Sequence, residues 1–230
     1  VVSVSAVIFD VDGTILDTVD LHAAAWQLAF RRFGREVSLE RLRRQIGKGA
    51  GELLPVFLSP EEIGWIGAGV ASLHDEVYGR ELLPGARAFP GVRALFERVA
   101  RDGRRIVLAS STPRGELDAS VALAGVGDLV SWTVSADDVE RSKPHPDLLE
   151  AALDRLGSVD PREVVLVGDA PSDAEAAAKL GILTVGLLCG GFPEMELLEA
   201  GCAALYRDPE DLLARYDASP LASRPERLAS

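Results

Sequence analysis

Residues 7–18 read VIFDVDGTILDT, an apolar run that ends on two aspartates one residue apart, with Gly-Thr straight after. The run has the length and composition of a buried β-strand. Ionised carboxylates are costly to bury unless something compensates them. Asp10 and Asp12 therefore mark a strand end where the fold requires charge. Working outward, further short apolar runs lie at 105–109, 129–134, 164–168, 182–188 and 203–206. Segments of helical period separate them, such as Val92, Leu95, Phe96 and Val99 before Gly103, and Leu149, Ala152, Leu153 and Leu156 before Gly157. Strands that alternate with helices predict βαβ units and an α/β fold, a doubly wound, Rossmann-like parallel sheet covered on both faces.

One stretch breaks this rhythm. Between 17 and 86 the patterns are helical, with Leu21, Ala25 and Leu28 at helical spacing and a stop at Gly34. Ser59, Pro60 and Glu62 form a helix start with a capping box, followed by the stripe Ile63, Ile66, Val70, Leu73 and Val77. The expected division is a core of 1–16 and 87–217, an inserted α-helical cap of 17–86, and a loose tail of 218–230. Hinges are expected near 16–18 and 83–87.

At 230 residues the chain can bury a sizeable core. Its net charge of −12 argues against a nucleic-acid binder, which needs basic surface against phosphates. The two cysteines, Cys189 and Cys202, have no metal-ligand spacing and read as small apolar residues. With no signal-peptide pattern and no apolar run of transmembrane length, the expected location is the cytoplasm, away from membranes. There are only three lysines, Lys48, Lys143 and Lys179, which makes each worth placing.

In an open parallel sheet, ligands bind beyond the carboxyl ends of the strands. Those ends deliver Asp10 and Asp12, then Ser110 and Ser111, then Asp169 with Asp173 four residues on, while Lys143 precedes a helix. The carboxylates of Asp10, Asp169 and Asp173 are hard donors suited to Mg²⁺, which takes a few carboxylates plus water and phosphate oxygens. Asp10 is then a candidate nucleophile on phosphorus. Lys143 and Ser110 can hold phosphoryl oxygens. Asp12, on the same side by the period of two, can give and take the proton. Gly13 permits a tight exit from the strand.

DVDGT, LASS, SKPHPD and VGDAPSD, in that order, resemble the four motifs of the haloacid dehalogenase superfamily. The match spans the core, and the helical insert is similar to the cap of the C1 subclass. The resemblance implies that Asp10 is nucleophile and metal ligand, and that Asp12 is acid/base and a ligand through its backbone carbonyl. Asp169 and Asp173 complete the metal site. Ser110, Ser111 and Lys143, with Gly13 and Thr14, form the candidate phosphate-binding set. Cofactor and partner follow: Mg²⁺ and a small phosphorylated metabolite, handled by a monomer or homodimer.

Within the superfamily, Asp12 argues against dehalogenation, which lacks an acid/base there. GDAPSDAEAA resembles phosphoglycolate and sugar phosphatases, so the expected reaction is phosphomonoester hydrolysis through an aspartyl-phosphate. LDTVDLHAAAW, residues 16–26, resembles the corresponding stretch of β-phosphoglucomutases, which keeps a phosphosugar mutase as the alternative. Ala50 and Pro113 stand where that family has an arginine and a lysine, so the second anion site it needs is thin. Phosphonate hydrolysis needs a cap lysine that forms an imine, and Lys48 follows Gly47 directly rather than several residues on. A non-catalytic phosphometabolite-binding protein predicts a missing nucleophile, lysine or metal carboxylate, and none is missing. His22, Trp26 and Lys48 are the candidate specificity residues. For His22 and Trp26 a place in the cap core is an equal reading. Gly47 and Gly49 would let the Lys48 turn approach an anion.

Overall fold

The computed structural model describes residues 3–222. Six parallel strands form one sheet in the order β3-β2-β1-β4-β5-β6. They are β1 (Ala6–Phe9), β2 (Arg105–Ala109), β3 (Trp132–Val134), β4 (Val164–Gly168), β5 (Leu183–Leu187) and β6 (Cys202–Tyr206). Each coincides with one of the predicted runs, with β3 shortened at its start.

Side chains alternate across the sheet as a strand's period of two demands. Val7, Phe9, Val165 and Val167 enter one apolar cluster, while Ala6, Ile8, Val164 and Leu166 enter the other. The strand order reverses direction between β1 and β4, and the crevice at such a switch point is where ligands bind. Asp10 leaves β1 there and Asp169 leaves β4.

Between β1 and β2 the described chain is helical, with its own apolar cluster that includes Ala23, Trp26, Phe30, Leu42, Leu53 and Val70. The helix Val19–Arg32 buries His22, Ala23, Ala25, Trp26, Ala29 and Phe30. Leu28, expected on the buried stripe, is 47% exposed, because the apolar face turns on Trp26 and Phe30 instead. Ser59 caps the next start as expected, with the capping box to Glu62 complete. From there the chain winds through a π-helical turn at Ile63–Gly67, the helix Ala68–Val77 and a second π-helical turn at Tyr78–Leu82.

The insert leaves and rejoins the core at one place. Leu16 and Ala88 form an antiparallel bridge, and the amide of Asp17 donates to the Arg87 carbonyl at 2.9 Å. The expected tail begins later than position 218. Ser219 and Leu221 are buried, Leu221 in the main core cluster, since Tyr216 and Leu212 offer it an apolar seat. Residues 223–230 lie outside the described residues. Cys202 is buried and Cys189 half-buried, both as free thiols, in line with their reading as apolar side chains. Among the described residues no helix is long and apolar enough to cross a membrane.

Candidate active site

At the switch point Asp10, Asp169 and Asp173 each present a carboxylate oxygen, and these oxygens lie within 4.8 Å of one another in a fully buried setting. Lys143 donates to Asp10 and, at 2.7 Å, to Asp173. One ammonium for three buried carboxylates leaves an excess of negative charge. Burial pushes the Asp10 carboxyl up to about 7, with Asp173 and Asp12 adding to it against the pull of Lys143. Burial, then Asp10 and Asp173, raises Asp169 well above the usual carboxylate range. Burial would depress Lys143, yet Asp10 and Asp173 hold its ammonium above the ordinary lysine value. Crowded hard oxygens of this kind fit a divalent cation.

Gly13 makes the cluster possible. Its φ is +83°, and a Cβ there would strike the Asp169 carboxylate. Thr14, expected against phosphate, directs its hydroxyl to Asp169 at 2.7 Å and to Asp10 at 3.3 Å. Its buried position under the two carboxylates makes it their positioning group.

Asp12 lives in a different environment. Its carboxylate accepts from Thr18 Oγ1 at 2.8 Å, Tyr78 Oη at 3.3 Å and Ser110 Oγ at 3.4 Å. Thr18 stands at the helix N-cap position, but its hydroxyl goes to Asp12 and caps no amide. His22 Nε2 lies 3.0 Å from Asp12 Oδ1. Burial opposes the charge, but His22 and the Thr18 hydrogen bond hold Asp12 down at about 2. The two aspartates of one strand end thus meet opposite surroundings. Asp12's carboxylate stands apart from the three-carboxylate cluster, which leaves its backbone carbonyl as the group the resemblance assigns to the metal.

Behind His22 runs a chain that the sequence reading did not identify. His22 Nδ1 is 3.2 Å from His74 Nε2, and His74 Nδ1 is 2.8 Å from Asp75 Oδ1. His22 also stacks on Tyr78, and His74 on Trp26. Burial lowers His74 to about 4 despite its hydrogen bond to Asp75. The ring is therefore neutral at pH 7. With Asp75 accepting at Nδ1, His74 accepts at Nε2 from His22 Nδ1, an assignment set by the network. Val70, His74 and Val77 share a helix face, so helical spacing was the available signal.

The insert sits on the core. Ser111 Oγ donates to the Gly47 carbonyl at 3.1 Å, Arg44 pairs with Glu196, and its guanidinium lies 5.5 Å from the Phe192 ring. Gly47, at φ +97°, would place a Cβ 2.8 Å from that of Ala170. The close approach foreseen for Gly47 and Gly49 is therefore to the core, at the start of the helix Pro171–Lys179 and at Ser142, where an anion had been expected. Lys48 donates to Gln45 Oε1 at 2.7 Å. Between insert and core remains a cavity of about 250 Å³ lined by Asp10, Asp12, His22, Trp26 and Lys48 among others. All three candidate specificity residues face it, His22 and Trp26 while also packing the cap. Glu116, another lining residue, was not foreseen.

A family model for haloacid dehalogenase-like hydrolases matches residues 4–181, and the chain belongs to that family. It is an enzyme of the hydrolase class. It is 31% identical over 209 residues to a phosphorylated carbohydrates phosphatase of Thermotoga maritima, covering 90% of this chain and 96% of the relative. A phosphoglycolate phosphatase of Yersinia pseudotuberculosis is 31% identical over 192 residues, 82% of each chain. The crystal structure of a hydrolase from Pseudomonas syringae superposes with a TM-score of 0.85 at 30% identity, covering 93% of this chain and 98% of that one.

Proposed function

We propose that the protein is a Mg²⁺-dependent phosphatase that hydrolyses phosphomonoesters of a small metabolite through an aspartyl-phosphate on Asp10. One observation carries this reading: Asp10 and Asp12, with a single residue between them, meet opposite environments, one crowded with carboxylates and Lys143, the other ringed by hydroxyls and His22. In the free chain these surroundings favour a protonated Asp10 and an ionised Asp12; positive charge from Mg²⁺ beside Asp10 and negative charge from a phosphoryl group beside Asp12 would reverse both, freeing Asp10 to attack and Asp12 to carry the proton.

Asp10 attacks phosphorus and the bond to the leaving oxygen breaks, with Asp12 giving that oxygen a proton. A water then attacks the phosphoryl group, loses its proton to Asp12, and the bond to Asp10 breaks. Lys143 and Ser110 hold phosphoryl oxygens, and Thr14 keeps Asp10 and Asp169 in place. Asp10, Asp169 and Asp173, with the Asp12 carbonyl, would hold Mg²⁺, which supplies positive charge against the phosphoryl oxygens. Residues 17–86 act as a cap that excludes bulk water, hinged where Leu16 and Ala88 pair. A cavity of about 250 Å³ suits a small leaving group.

The test is phosphate release from a panel of phosphorylated metabolites, with and without Mg²⁺, using Asp10→Asn as the blank. Release that requires both Asp10 and Mg²⁺ is expected. Release that persists in Asp10→Asn overturns the mechanism. Conversion of β-glucose 1-phosphate to glucose 6-phosphate without net release would favour the mutase, which shares the His22–Trp26 wall. Against it, Lys48 is the one lysine or arginine among the described residues that line the cavity.

A further inference from the structure

One close approach to the carboxylate cluster comes from a segment that no motif marks. After β5 the chain makes a short turn, Leu188–Gly190, which buries Gly190 against Asp169. A Cβ at Gly190 would overlap Asp169 Oδ2, the same oxygen that a Cβ at Gly13 would strike. Gly13 needs its glycine for a φ of +83°, but Gly190 has no positive φ. Its backbone would accept a side chain, and only the space taken by Asp169 forbids one. The neighbouring Cys189 donates its thiol hydrogen to the Gly13 carbonyl at 3.1 Å, which ties the two glycine walls together. Behind the turn is a second cavity of about 260 Å³, lined by Cys189, Gly190 and Phe192 among others. On that side the turn lacks packing, and the Cys189 contact helps to hold it.

We propose that Gly190 is a positioning residue for the metal: with Gly13 it confines Asp169 Oδ2 to a narrow slot, and so fixes the direction in which Asp169 meets a divalent ion. This rests on the Mg²⁺ reading above and deepens it. Thr14 already holds the other oxygen of Asp169 at 2.7 Å, so the slot leaves the carboxylate little freedom to turn. A methyl group added at Gly190 allows two escapes. Either Asp169 rotates, or the turn retreats into the second cavity and breaks the Cys189 contact. Both release the carboxylate from its fixed direction. Mg²⁺ demands near-ideal octahedral geometry, whereas Ca²⁺ accepts displaced ligands. Mg²⁺ binding should therefore suffer more than Ca²⁺ binding, while a general loss of folding would weaken both alike.

The experiment is calorimetric titration of Mg²⁺ and of Ca²⁺ into the substrate-free protein, wild type against Gly190→Ala. Mg²⁺ affinity is expected to fall by about tenfold or more, as when support around a metal ligand is removed, and Ca²⁺ affinity by less. Gly191→Ala is the control, since Gly191 has a φ of +88° and open space beside it. It strains the backbone without approaching Asp169 and should keep the wild-type ratio of the two affinities. Wild-type Mg²⁺ affinity in Gly190→Ala, or equal losses for both ions, overturns the proposal. If a melting curve shows that Gly190→Ala does not fold, Cys189→Ala decides. It should lose Mg²⁺ affinity in the same sense, with Cys189→Ser, which keeps a donor, close to wild type. Unchanged affinity in Cys189→Ala then overturns the proposal. Phosphate release separates the two readings. A protein that hydrolyses no ester but shows the shifted ratio keeps the slot and loses the phosphatase; hydrolysis with an unshifted ratio does the reverse. A wild-type protein that binds neither ion removes both the slot and the Mg²⁺ dependence.

Discussion

Glu116 is a buried acid whose burial favours its protonated form. A glutamate whose folded value rises from 4.5 to about 8 binds its proton more tightly in the folded than in the unfolded chain. Its contribution is fully present below about pH 4.5 and is lost as pH climbs through 8. Glu116→Gln is therefore expected to stabilise the protein at pH 9 relative to pH 5, by on the order of 3 kcal/mol, read from urea unfolding at the two pH values. An unchanged difference would mean that the side chain reaches water. His74 makes a second prediction at this scale. It touches no reacting atom and acts by fixing the His22 ring that stands over Asp12. His74→Leu should lower kcat for alkyl phosphates, whose leaving oxygen needs a proton, about tenfold more than for p-nitrophenyl phosphate. His74→Gln keeps an acceptor near the Nε2 position and should recover part of the loss. Equal losses on both substrates would reduce His74 to packing.

The elements differ in how much the sequence revealed of them. Strands β1, β2 and β4 are legible because apolar runs bounded by glycine and charge have few other homes, and their ends carry Asp10, Ser110 and Asp169. The cap is less so. Leu28 fits the helical period yet faces solvent, since two faces of the helix Val19–Arg32 carry apolar residues and only packing chooses between them. Two π-helical turns, Ile63–Gly67 and Tyr78–Leu82, shift the phase of the stripe that the period follows. That shift accompanies the placement of Tyr78 against Asp12, a contact no regular spacing announces. Glu116 stayed hidden because an acid in a helix's first turn ordinarily reads as a dipole partner. The turn at Gly47 supplies the test at this scale. Gly47→Ala combines an unfavourable φ with a Cβ driven against Ala170, so the turn cannot seat on the core. A rise in KM of about tenfold or more, with thermal stability little changed, is expected from steady-state kinetics and a melting curve. Unaltered KM would show that seating of this turn is irrelevant to turnover.

At the scale of the whole molecule, a Mg²⁺ ion held by Asp10, Asp169 and Asp173, as proposed, would tie stability to metal. A ligand that binds only the folded chain stabilises it by mass action. Mg²⁺ at millimolar concentration should raise the melting temperature by a few degrees over protein in chelator, about 2–4 °C for each 1 kcal/mol at this chain length. Asp169→Asn should abolish that response; a response that survives it would place the ion elsewhere. The joint between insert and core has a different consequence. Leu16 and Ala88 pair side by side, and the Asp17 amide reaches the Arg87 carbonyl, so the two ends of the insert meet as the two sides of a short ribbon. A sequence of any length whose termini lie that close could occupy the same doorway without disturbing the register of β1 or β2. The catalytic edge and the chamber above it are thus separable inheritances. Grafting another lid between positions 16 and 88 should keep phosphorus chemistry at Asp10 while rewriting which alcohol leaves.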